Sequence, residues 1–160
     1  MSLKVPLVRV TSLHIHPAEH GAPMLTLDAL DLVAEKGILQ DKRYFNRRSR
    51  TGGPFKRQVT LIEREIIDQH TTHFGIPPLP PGTVRSNIET CGIDLIPLIG
   101  QKIQIGSAIL LLVEPRTPCE QMNRIHPGLR ALMENNKQGV IAQVLHSGII
   151  KPGEMIKVMI

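Results

Sequence analysis

Nearly every apolar run in this chain is short, β-prone and shut off by a proline or a glycine, and that punctuation excludes a helical bundle. Leu7 to His16 carries β-branched residues at alternating positions and stops at Pro17, which reads as a first strand. Met24 to Leu32, after the turn Gly21-Ala22-Pro23, reads as a strand or strand pair. Gln58 to Ile62 and the alternating segment Thr83 to Thr90 add two more. Ile103 to Ile105 and Ala108 to Val113 form a hairpin about Gly106-Ser107. Val140 to Leu145 and Glu154 to Ile160 are closing strands, joined through Gly148 and the turn Lys151-Pro152-Gly153.

One segment has a different period. Leu61, Ile62, Ile66, Ile67 and the stretch His70 to Phe74 recur at helical spacing, with Gly75 as the stop. Thr60 with Glu63 three residues on has the form of a capping box for that helix. Met122, Ile125, Leu129, Leu132 and Met133 suggest short helical turns interrupted by Pro127, and Pro77 to Gly82 is a stiff extended connector. Seven or more short strands with one clear helix predict a mostly β (α+β) fold, a closed or nearly closed β-barrel with a few short helical turns.

A chain of 160 residues is one domain, here residues 1–160, and buries roughly 70% of the surface its unfolded form exposes. With no Trp, one Tyr and three Phe, its core must be aliphatic. The same scarcity argues against nucleic acid as partner for a small basic β-barrel, because strand binding without sequence preference stacks bases on aromatic rings. No window approaches the roughly 20 apolar residues that cross a bilayer, and Met1 to Pro6 has no basic segment leading into a long apolar run. A soluble, cytoplasmic protein is therefore expected, with its two cysteines, Cys91 and Cys119, reduced.

The formal net charge is +5, and the excess is concentrated from Lys42 to Arg57 within a long loop, Gly37 to Lys56. Loops of that length in compact domains usually serve function, and a basic one favours an anionic partner. Arg47-Arg48-Ser49-Arg50 within it reads as a solvated patch, while Asp41-Lys42-Arg43-Tyr44 is either a polar turn or an element closing a pocket, with Asp41 orienting Arg43. Arg57-Gln58 and Arg85-Ser86-Asn87 lie at or within strands, so their forks and amides can converge on an anion and a heterocycle edge. Cys119 follows the apolar run Ile109 to Val113 in a proline-braced turn, three residues after Arg116 and two after Thr117. A thiol so placed suits a soft ligand or sulfur acceptor, against the alternative of a small buried hydrophobe. Cys91 has no nearby activating group and reads as structural. His14-x-His16 and the pair His70 and His73 offer two-histidine patches without a third ligand, so surface or core histidine is the expectation.

In order along the chain, Gly37 to Tyr44, Arg57 to Ile62, Pro81-Gly82 with Arg85-Ser86-Asn87-Ile88, Gly92 to Leu95, Gly100, Ile105-Gly106, Arg116-Thr117-Pro118-Cys119 and Gly139-Val140 resemble the MOSC domain, named for the C-terminal domain of molybdenum cofactor sulfurase. Gln40 and Lys42 depart from the Gly-x-x-Gly-Asp-Arg form common in the first of these motifs. The resemblance implies a MOSC-type β-barrel that binds a molybdopterin-type molybdenum cofactor. It implies Cys119 as sulfur carrier or molybdenum ligand, and Arg43, Arg57, Arg85, Asn87, Arg116 and Thr117 as cofactor-binding residues. The family includes sulfur-transfer domains and molybdenum-dependent reductases of N-hydroxylated compounds, so a separate sulfur donor such as a cysteine desulfurase, or a separate reductase, is an expected partner. A carrier or sensor of an anionic pterin-like ligand, without catalysis, is the alternative.

Overall fold

The computed structural model describes residues 7–159. The Met1 to Pro6 segment and Ile160, the last residue of the expected closing strand, lie outside them. Eleven strands are described: β1 (Arg9–Ile15), β2 (Leu25–Leu27), β3 (Leu30–Val33), β4 (Gly37–Ile38), β5 (Val59–Glu63), β6 (Ile88–Cys91), β7 (Lys102–Ile105), β8 (Ala108–Pro115), β9 (Val140–His146), β10 (Gly148–Ile150) and β11 (Ile156–Met159). Helix α1 (Arg64–Phe74) follows β5, and the short helices α2 (Gln121–Ile125) and α3 (Leu129–Met133) flank Pro127.

Eight strands form one sheet in the order β11-β7-β8-β9-β5-β6-β1-β2, and β10-β3-β4 form a second. All the described pairs are antiparallel except β5 with β6, which α1 and the proline-rich connector join. A parallel pair needs such a crossover, because a tight hairpin reverses the chain. The expected closed or nearly closed barrel is not confirmed: the large sheet is a ladder that ends at β11 and β2. Its far ends meet only through the isolated bridge of Arg9 with Met155 and flanking backbone bonds such as Val10 N–H to the Glu154 carbonyl, 3.0 Å.

Twenty buried aliphatic residues, among them Leu13, Leu61, Ile88, Leu110 and Val144, fill the interior of the large sheet. A smaller cluster of Ile62, Ile67, Val84, Met122, Leu129 and Met133 seats α1, α2 and α3 on the outer side of β5. Strand β5 is thus buried on both faces, which is why Val59 to Ile62 reads as a continuous β-prone run.

Several local expectations are corrected. The α1 N-cap is Glu63, with no side-chain capping bond, and Thr60 lies inside β5 with its hydroxyl turned to Asn87, so no capping box forms. At the other end Gly75 sits at φ 66° and donates to the Thr72 carbonyl, the left-handed stop that its sequence position suggested. Thr83 to Asn87 is turn rather than strand, because Arg85 takes a left-handed φ of 66° that no strand accommodates. Met24 to Leu32 divides into β2 and β3, which belong to different sheets. Gly148 to Ile150, expected as a connection, is a strand paired with β3.

A bulge in β1 sets up the site. The β1–β6 register shifts between Val10 and Ser12. Val10 faces the core before it, and Leu13 and Ile15 face the core after it, which is a change of parity along the strand. His14 and His16 are thereby carried to the opposite side.

Candidate functional site

Residues from six parts of the chain line one cleft of about 700 Å³. His16 follows β1; Arg43, Tyr44 and Arg47 come from the loop after β4; Arg57 precedes β5; Arg85 precedes β6; Arg116, Thr117 and Cys119 follow β8; and Gln121 and Arg124 lie on α2. Two further cavities of about 440 Å³ adjoin it, one sharing Arg85, Gln121 and Arg124, the other sharing Arg57, Arg116 and Thr117. Of the seven residues expected at the site from sequence, six line this cleft.

The exception is Asn87, which lies beneath it. Its Oδ1 accepts from the Thr60 backbone N–H and hydroxyl, both at 3.0 Å, and its Nδ2 donates to the His14 carbonyl at 3.1 Å and to Asp41 Oδ2 at 3.0 Å. An amide with both donors and its acceptor engaged has nothing left for a ligand. Asn87 instead ties β5, β1 and the loop after β4 together. Gln58 is likewise engaged, donating to the Glu35 carbonyl and accepting from the Val144 N–H, so it reads no heterocycle.

The arginines are held in ways that leave donors open. Arg116 is 7% exposed, its Nη1 donates to Ser86 Oγ at 3.0 Å, and its Nε has no partner. No carboxylate is paired with it among the described residues. Burial, followed by repulsion from Arg57, pulls its guanidinium down to about 9. Arg85 donates from Nη1 to the Ala22 carbonyl at 2.9 Å, while its buried Nη2 is unpaired, and burial with repulsion from Arg43 lowers it too. The Arg57 guanidinium lies 4.6 Å from the Tyr44 ring centre, and its Nε is buried and unpaired. Exposed Arg47 is 5.2 Å from the same ring, so the Arg47–Arg50 run reaches the cleft rather than being solvated throughout.

Against six arginines the lining has one acid, Glu120, which is exposed and engaged by Arg130 at 2.8 Å and by Asn123. Open donors on buried cations with no anion nearby make an anion-binding surface. Cys119 is a free, exposed thiol on the wall of this cleft. Cys91 is free, half-buried and away from the cleft lining, with its Sγ directed at the Leu7 carbonyl.

Sequence reasoning missed His16, Gln121 and Arg124. His16 was visible as half of His14-x-His16, yet alternation alone gives both rings to the core face and the bulge cannot be read locally. Its Nδ1 lies 2.7 Å from Asp41 Oδ2, so Asp41 orients His16 rather than Arg43. Arg124 and Gln121 carried no signal, because α2 is a five-residue helix placed by tertiary packing. No group of three or more metal-ligating side chains occurs among the described residues, and none of the described helices is long and apolar enough to cross a membrane.

A family model described as the MOSC domain matches residues 24–157. No curated protein sequence matches the chain. Among solved structures, the YUAD protein from Bacillus subtilis superposes with a TM-score of 0.74 at 20% identity, over 96% of this chain and 97% of that one. YiiM from Geobacillus stearothermophilus gives a TM-score of 0.71 at 17% identity, over 96% and 75% of the two chains. YiiM from Escherichia coli gives 0.68 at 20% identity, over 97% and 69%. At these identities the structures establish a shared fold.

Proposed function

The chain belongs to the MOSC domain family, and we propose that its arginine-lined cleft holds a molybdopterin-type cofactor, with Cys119 as molybdenum ligand or sulfur carrier. The observation that carries this reading is Arg116, a buried cation whose Nε has no partner and which no carboxylate neutralises. Such a group is stabilised only when an anion arrives. A cofactor of this class brings a phosphate for the guanidinium groups and a polar heterocycle for the rest of a 700 Å³ cleft.

Arg57, Arg85 and Arg116 hold the phosphate, with the Thr117 hydroxyl as a further donor and Tyr44 keeping Arg57 in place across its ring. Asn87 acts from below by fixing β5 to the loop that carries Arg43 and Tyr44. When bound, the cofactor would supply a redox-active metal with a place for a soft ligand. A thiolate is that ligand type, and it also accepts a sulfur atom as a persulfide. Cys119 is exposed, so a sulfur-donating or electron-donating partner protein can reach it.

Native mass spectrometry and metal analysis of protein purified from a cofactor-producing host test the reading. A bound pterin, with molybdenum or an extra sulfur atom lost on Cys119→Ala, is the expected result. Absence of pterin, molybdenum and persulfide from the wild-type protein would sink it. Molybdenum lost in the variant assigns ligation; a persulfide lost while molybdenum stays assigns sulfur carriage.

A further inference from the structure

We propose that His16 is the acceptor that lets this cleft select a phosphorylated heterocycle bearing an N–H donor over a bare anion, and that Asp41 sets it in that role. This rests on the reading of the cleft as an anion site. It adds the specificity of that site.

The β1 bulge turns His16 out of the core and onto the cleft wall, where it is 5% exposed. Asp41 Oδ2 is 2.7 Å from Nδ1, and it also accepts from the His16 backbone N–H at 3.3 Å and from Asn87 Nδ2 at 3.0 Å. Burial works to raise the Asp41 carboxyl, but the bonds from His16 and Asn87 outweigh it and hold it below its ordinary value. An ionised carboxylate only accepts, so the proton of the neutral ring sits on Nδ1 and the lone pair on Nε2. Among the described residues His16 is bonded through its backbone N–H and Nδ1, and Nε2 has no partner.

Every guanidinium in the cleft can only donate. The one carboxylate of the lining, on Glu120, is engaged outside by Arg130 and Asn123. His16 is therefore an acceptor of fixed tautomer among six arginines, whereas the lining's other acceptors, on His20, Tyr44, Thr117 and Gln121, can equally donate. The charged and titratable groups around it are Asp41 at its Nδ1, the Tyr44 ring with centres 5.0 Å apart, and Arg57 and Arg43, with His20, Arg85, Arg116 and Cys119 on the same cleft. Burial, with repulsion from Arg57 and Arg43, lowers the ring's pKa in spite of Asp41, which keeps it neutral at physiological pH. A surface of arginines alone would take any polyanion; a neutral acceptor among them favours a ligand that also offers an N–H.

The test compares sulfate with neopterin monophosphate by calorimetry, using wild-type protein and His16→Phe. Sulfate has no proton to donate at these pH values. The variant is expected to bind the pterin phosphate about tenfold more weakly and sulfate within about twofold of wild type. As the pH falls below the ordinary histidine range, where the lowered pKa of His16 places its charging, sulfate binding to wild type tightens more than binding to the variant. A measurement on the wild-type chain alone stands beside this: the imidazole ¹⁵N shifts report the Nδ1–H tautomer, and the Nε2 signal moves with neopterin monophosphate but not with sulfate. Equal weakening of both ligands in His16→Phe, an Nε2–H tautomer, or equal movement of Nε2 by both ligands overturns the proposal while leaving the anion site intact. If neither ligand binds wild type, the anion site itself fails and this proposal with it.

Discussion

Replacing Arg116 with methionine should make the protein more stable and unable to bind its ligand. The guanidinium is 7% exposed, makes one side-chain bond, to Ser86, and faces no carboxylate. Its fall from the ordinary arginine range to about 9 corresponds to about 5 kcal/mol of unfavourable free energy for holding the charge where it is. Methionine removes that charge and keeps much of the apolar stem. It also loses the bond to Ser86 and leaves that fully buried hydroxyl unpaired, about 2 kcal/mol together. A net gain of about 2 kcal/mol is a discounted expectation, since buried charges relax and hydrate. For a chain of this size that is a rise of about 5 °C in melting temperature. The assay is thermal and urea unfolding in buffer free of multivalent anions, repeated with added phosphate. Phosphate at about one hundred times its dissociation constant should recover about 2.7 kcal/mol in wild type and much less in Arg116→Met. A folded variant that melts lower than wild type without anions, or that phosphate stabilises equally, refutes the argument that Arg116 is an uncompensated charge waiting for an anion.

Asn87→Ala removes four hydrogen bonds, takes the side-chain partner from the buried Thr60 N–H and the His14 carbonyl, and takes one of three donors from Asp41 Oδ2. A loss of about 3 kcal/mol in urea unfolding is expected, larger than for any single cleft arginine. Gly139→Ala should abolish soluble expression, because Gly139 holds φ 76° and an added Cβ would overlap the Leu61 carbonyl oxygen where β9 begins beside β5. Cys119→Ser should leave unfolding within about 0.5 kcal/mol of wild type, since the thiol is exposed, while removing any molybdenum or persulfide that wild type carries.

The strand rhythm was legible because each short run is bounded by a residue with its own backbone restriction, and Gly75 and the Gly106-Ser107 turn fell where those restrictions put them. The six cleft residues were legible as a set through the ordered motifs. What escaped was carried by contacts far apart in sequence. Asn87 looks like a ligand-reading amide until its partners at positions 14, 41 and 60 are in place. Thr83 to Asn87 alternates like a strand, with Val84, Ser86 and Asn87 all buried, but Arg85 needs a left-handed backbone for Nη1 to reach Ala22. The open sheet escaped too, because strand count says nothing about whether the first and last strands pair along their length or touch at one bridge.

The two features that most define the cleft share a physical logic. Arg116 is a cation without its anion, and Asp41 with His16 is an anion that holds a neutral ring in one tautomer; Arg116 keeps a buried Nε without a partner, and Asp41 takes up Nδ1 of His16 and leaves Nε2 as the ring's acceptor. Asn87 links them, since its backbone follows Ser86, which binds Arg116, while its side chain binds Asp41. A fold that holds a buried donor and a nearly buried acceptor unsatisfied on one small cleft is less stable than it would be with apolar residues in their place. That arrangement persists only where a ligand supplies the missing partners, one acidic and one bearing an N–H, so the cleft's cost in stability and its choice of ligand have the same source.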